Sequence, residues 1–127
     1  MRPKEILIVS CSLTQAMVDA IWSEMGLLYP PAVEPLPRQA RATVANANRL
    51  LIRLPERTPS WCLLHELAHA MTSSADGRSD GHGPAFMGIY VGLLIRYLRL
   101  DPIEMTRSIR VAGIAINPNA RPTFLGS

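Results

Sequence analysis

The stretch Trp61–Met71, WCLLHELAHAM, decides how this chain is read. It is apolar at every turn except at His65, Glu66 and His69, so it predicts a helix buried nearly all round. Inside it, His65-Glu66-Leu67-Ala68-His69 is an H-E-x-x-H pattern. On a helix, residues four apart lie about 6 Å apart along the axis and roughly 40° apart around it, so both imidazoles reach one cation. Glu66 sits about 100° round from His65, where a carboxylate flanks the cation and reaches a bound water as a general base. Two imidazoles and a carboxylate are costly to bury without partners, and a metal supplies them. The competing reading is a helix whose histidines are merely buried and hydrogen-bonded.

The only other histidine decides more between these readings. His82 follows a polar loop, SSADGRSDG over Ser73–Gly81, with two Asp-Gly turn signals. Gly83 and Pro84 follow it, the first allowing close backbone approach and the second suiting the first helical position. A third imidazole completes the three-ligand set of a catalytic Zn2+, one per chain, leaving a fourth position for water. Asp76 and Asp80 are alternative third ligands, because carboxylates also fill that role. As a calcium loop the Asp-Gly pairs fail the EF-hand spacing.

With 127 residues, 48% of them hydrophobic and 18% charged, the chain predicts one folded domain and excludes wholesale disorder. We place that domain at residues 1–116 and a loose tail at 117–127. Cys11 and Cys62 are too few and too distant for a disulfide framework or a zinc ribbon, and Cys62 is read as core. No signal peptide or membrane-spanning run is evident, which makes the cytoplasm the expected location and a membrane partner unexpected. Of the 13 basic residues only Lys4 is lysine. Arginine favours planar anions, so nucleic acid is a conceivable partner, but a solvated basic surface is the favoured reading.

Along the chain, Glu5–Ser10 predicts a short strand or a lead-in to the first helix. Ser12 and Gln15 form a capping-box pattern, and Leu13, Ala16, Met17, Ala20, Ile21 and Met25 predict an apolar stripe packed on the His65 helix, ended by Gly26. Four prolines between Pro30 and Pro37 predict an extended connection with at most an edge strand near Val33. Arg41–Ala45 and Arg49–Leu54 read as a hairpin around Asn46-Ala47-Asn48. Thr58 and Pro59 read as cap and first residue of the His65 helix. A further helix, Ala85 to about Leu100, has Phe86, Tyr90, Leu93 and Tyr97 on one face and a Gly88/Gly92 stripe suited to close approach of another helix. Tyr90 is a core residue or an oxyanion donor. Asp101 caps a short helix to about Arg110, and Val111–Ile116 reads as a strand.

The combination His65-Glu66-Leu67-Ala68-His69 with His82-Gly83-Pro84-Ala85-Phe86 resembles the SprT-like (Spartan-related) zinc metallopeptidases and small bacterial zincin metallohydrolases, over roughly residues 48–100. The resemblance implies an α+β, compact zincin-like single domain. In it a small, mostly antiparallel sheet packs on the N-terminal helix and the HExxH helix, followed by C-terminal helices. It implies His65, His69 and His82 as zinc ligands and Glu66 as the catalytic base. In zincin-type folds the strand beside the site offers an edge to an extended peptide, which makes Leu51, Ile52 and Arg53 candidate substrate-binding residues, or else an ordinary strand. Family members commonly carry Glu where Ala85 stands, and many carry a cysteine-rich zinc ribbon that this chain lacks.

These readings converge on a zinc metallopeptidase acting on a peptide or protein. The rival is a zinc-bound binding or assembly protein without turnover, phage- or nucleic-acid-associated.

Overall fold

The computed structural model describes residues 8–36, 46–55, 57–74 and 78–122. It is α+β, in the order β1 (Ile8–Ser10), α1 (Cys11–Glu24), β2 (Ala32–Pro35), β3 (Asn46–Ala47), β4 (Leu51–Leu54), β5 (Arg57–Pro59), α2 (Ser60–Thr72), α3 (Pro84–Leu98) and α4 (Pro102–Ala112). The helices α2 and α3 pack most closely, and β3 and β4 lie against α2. Leu63, Leu64, Leu67 and Met71 of α2 join Phe86, Ile89, Leu93 and Leu94 of α3, Ile52 and Leu54 of β4, and Val18, Ile21 and Trp22 of α1 in one buried core. Among the described residues, no helix is long and apolar enough to cross a membrane.

The strands depart from the mostly antiparallel sheet expected. They form two sheets, an antiparallel β1–β5 pair and a three-stranded sheet in the order β2-β4-β3. The longest pairing, β2 with β4, is parallel, with Val33 opposite Ile52. The proline-rich segment is therefore more than a connection. Pro35 is tolerated because β2 is an edge strand, where a missing N–H breaks no ladder. Gln15 of α1 closes that edge: its Oε1 accepts from Val33 N at 2.7 Å and its Nε2 donates to the Pro31 carbonyl at 3.1 Å. Gln15 thus serves β2 rather than a capping box, and α1 begins at Cys11, before Ser12.

β3 and β4 do form an antiparallel hairpin, with Ala47 opposite Ile52. Its turn lies at Asn48–Leu50, two residues beyond the expected place, because the Asn48 side chain accepts from Leu50 N and Leu51 N, both at 2.9 Å. Arg41–Ala45 and the Glu5–Leu7 part of the first strand lie outside the described residues. Arg49 leaves the strand and is buried, donating to the carbonyls of Tyr29 and Leu28 at 2.9 and 3.1 Å with its guanidinium over the Trp22 ring. Tyr29 has φ 58, a left-handed conformation costly for a non-glycine residue, and Arg49 holds its carbonyl.

The stripe of α1 is rotated from the expected one. Thr14, Val18, Ile21 and Trp22 are buried, whereas Leu13 is 58% exposed. The large indole at Trp22, whose Nε1 donates to Leu28 O at 2.8 Å, sets the inward face. The entry to α2 is shifted by one residue: Thr58 pairs with Val9 in β5, its hydroxyl donates to Pro55 O, and Pro59 is the cap.

At the other end, α4 runs to Ala112 and Gly113 ends it with φ 70, so the expected strand at Val111–Ile116 does not form. The segment that follows returns over α3. Asn117 N donates to Pro84 O at 3.0 Å, and a Cβ on Gly88 would lie 2.0 Å from the Asn117 carbonyl oxygen. Gly88 therefore does serve close approach, by this returning segment instead of a helix.

Candidate metal centre

Three elements meet at the histidines. The α2 helix carries His65 and His69 toward α3, and the turn before α3 brings His82 back to them. Hydroxyls finish α2 just beyond His69: Thr72 Oγ1 donates to Ala68 O at 2.8 Å and Ser73 Oγ to His69 O at 2.7 Å. Each hydroxyl bonds back to the carbonyl four residues earlier, a local side-chain bond common to Ser and Thr at helix ends.

One nitrogen from each of His65, His69 and His82 lies within 4.8 Å of the other two, and His69 Nε2 is 3.0 Å from His82 Nε2. Nitrogens bound at 2.0–2.1 Å to a tetrahedral zinc ion are about 3.3 Å apart, so small side-chain shifts bring this donor set onto one ion. Among the described residues no other His, Cys, Asp or Glu joins the cluster. His65 and His69 are half-buried and His82 is exposed.

Glu66 is 4% exposed, and its Oε2 is 3.0 Å from His65 Nδ1. A carboxylate accepts, so Nδ1 carries the proton and Nε2 keeps its lone pair for a metal. Glu66 Oε1 makes no hydrogen bond among the described residues.

Phe86 underlies all three imidazoles. Its ring stacks on His69 at 4.3 Å and meets His82 and His65 at 4.9 and 5.1 Å. The sequence placed Phe86 on an apolar helix face without this role. The usable signal was its position four residues after His82, one helical turn from the loop. Tyr90 meets His65 edge-on at 5.2 Å, and its hydroxyl is turned to the Trp61 carbonyl at 3.4 Å. Burial, then Cys62 and Glu66, push the Tyr90 hydroxyl up, so it remains a donor at neutral pH.

Asp80 is not a free ligand. Its carboxylate accepts from Ala85 N at 2.7 Å and Phe86 N at 3.2 Å. Asp76, the other alternative, lies outside the described residues. Leu51, Ile52 and Arg53 lie on β4, the central strand, with β2 on one side and β3 on the other. They are not an open edge, and Ile52 is fully buried. Among the described residues, β3 and β5 both lie beside α2, and each has one strand partner.

Comparison of the chain with protein-family models, with curated proteins and with solved structures yields no match.

Burial, then the neighbouring His65 and His82, push His69 down to about 4 from 6.5, with Asp80 opposing. The metal-free fold thus keeps His69 neutral while the unfolded chain takes up a proton below about pH 6.5. The stability due to this group is complete above that pH and is lost as pH falls toward 4. In urea titrations of metal-free protein from pH 7 to 4, the wild-type midpoint is expected to fall further than that of His69→Gln. Equal falls would contradict this account.

Proposed function

We propose that the chain is a zinc-dependent hydrolase of zincin type, and within that class a metallopeptidase. The observation that carries this reading is the pairing of three convergent imidazoles with a buried carboxylate bonded to one of them. A structural zinc site is normally closed by four protein ligands, whereas a catalytic one keeps a position free.

When bound, a zinc ion would be held by His65, His69 and His82 and would supply Lewis acidity, activating water near neutral pH and polarising a carbonyl. Glu66 is the general base. Its Oε2 orients His65, and its unpaired Oε1 takes the proton of the attacking water and passes it to the leaving amine. Phe86 excludes water from beneath the rings. Tyr90 is the candidate oxyanion donor, once its hydroxyl turns from the Trp61 carbonyl. An extended substrate adding by main-chain hydrogen bonds would use an edge strand beside α2, β3 or β5, since β4 is paired on both sides.

The test is metal analysis of the purified protein together with cleavage of a broad peptide library. One zinc per chain is expected, with cleavage that a chelator abolishes and added Zn2+ restores. Bound zinc without cleavage of any peptide would favour the non-catalytic binding protein instead.

A further inference from the structure

His82 is the exposed member of the cluster and sits on a turn rather than a helix, so something must hold it in place. Asp80 brackets it on both sides. On the near side the Asp80 carbonyl accepts from Gly83 N at 2.9 Å, closing a turn around Gly81 and His82, with Gly81 at φ 63. On the far side the Asp80 carboxylate accepts from Ala85 N at 2.7 Å and Phe86 N at 3.2 Å. Pro84 has no N–H and Met87 N donates to Gly83 O, so those two are the amides of the first turn of α3 that need an acceptor. A carboxylate there also meets the positive end of the helix.

The same clamp accounts for Gly83. A Cβ at that position would lie 2.7 Å from Asp80 Oδ2 and 2.9 Å from Asp80 Cγ and the Asp80 carbonyl oxygen. The run Asp80-Gly81-His82-Gly83-Pro84 is thus a single device. Because Phe86 N is one of the two bonded amides, the clamp also fixes the ring on which the histidines rest.

We propose that Asp80 is a positioning residue that presets His82 as the third metal ligand, acting through the turn and the first amides of α3 without touching the metal. The proposal rests on reading His65, His69 and His82 as one metal site. Its consequence is that metal affinity depends on a residue that supplies no ligand atom. Outer residues of this kind change metal affinity about 10- to 100-fold.

The test compares Zn2+ affinity and the visible spectrum of the Co2+-loaded protein across four chains: wild type, Asp80→Ala, Asp80→Asn and Asp101→Ala. Asp101 caps α4, accepting from Ile103 N at 2.9 Å, and serves as a cap removed away from the metal. Asp80→Ala is expected to weaken Zn2+ binding about 10- to 100-fold and to alter the Co2+ spectrum. Asp80→Asn, whose side-chain oxygen still accepts an amide N–H, should recover most of both, and Asp101→Ala should match wild type. Unchanged affinity and spectrum in Asp80→Ala would overturn the proposal. So would an Asp80→Asn no better than Asp80→Ala, which would indicate ligation by the carboxylate. A wild-type chain that takes up neither metal would overturn the site reading itself, and that outcome is visible before any variant is compared.

Discussion

Glu66→Gln is expected to lower kcat/KM for peptide cleavage by about 10²- to 10⁴-fold, the usual weight of a positioned general base. Zinc content should stay at one per chain. Gln is the informative replacement because its amide oxygen can still accept from His65 Nδ1, the bond that Glu66 Oε2 makes at 3.0 Å. The orientation of His65 is preserved while the capacity to take a proton is removed. The side chain is buried, so Glu66→Ala would add a cavity and mix stability with chemistry. Cleavage by Glu66→Gln within tenfold of wild type would remove Glu66 as the base.

The second large effect is expected from His82→Ala. Two ligands would remain on α2, and Zn2+ affinity should fall by more than the roughly 100-fold upper range for residues that only orient ligands. Because His82 is exposed, its loss should leave the unfolding free energy of the metal-free protein, from urea titration, within about 0.5 kcal/mol of wild type. The same substitution at His69, half-buried and stacked on Phe86, should lower both affinity and stability. A His82→Ala variant with wild-type zinc content and affinity would exclude His82 as a ligand.

Much of the candidate site was legible because a helix converts sequence spacing directly into geometry. His65 and His69 had to share a face, and His82, followed by Gly-Pro, was the favoured return beside the alternatives Asp76 and Asp80. The role of Asp80 was harder to see, since an aspartate beside a candidate ligand reads equally well as a ligand. Only the two amides bonded to its carboxylate separate the cases. The start of α4, set by its Asp101 cap, was also legible, whereas its end at Gly113 was hidden in a run that reads as a strand.

The sheet was not legible to the same degree. Strand order depends on contacts distant in sequence, such as Gln15 with Val33 and Arg49 with Leu28, and no local pattern announces them. The parallel register of β2 on β4 moved the candidate substrate edge away from Leu51–Arg53. In α1, the expected stripe kept Ile21 inside but gave up Leu13, because burying the large indole of Trp22 rotates the inward face.

The shared contact with Phe86 ties the three imidazoles into one mechanical unit. Each imidazole packs against the same ring, so a shift of Phe86 is felt by all three at once. Much of the entropy of gathering three ligands is then met when the chain folds, before any ion arrives. An ion entering from the His82 side would find its coordination sphere already three-quarters assembled. In that respect the aromatic floor shapes how readily the centre fills as much as the nitrogens that would bind.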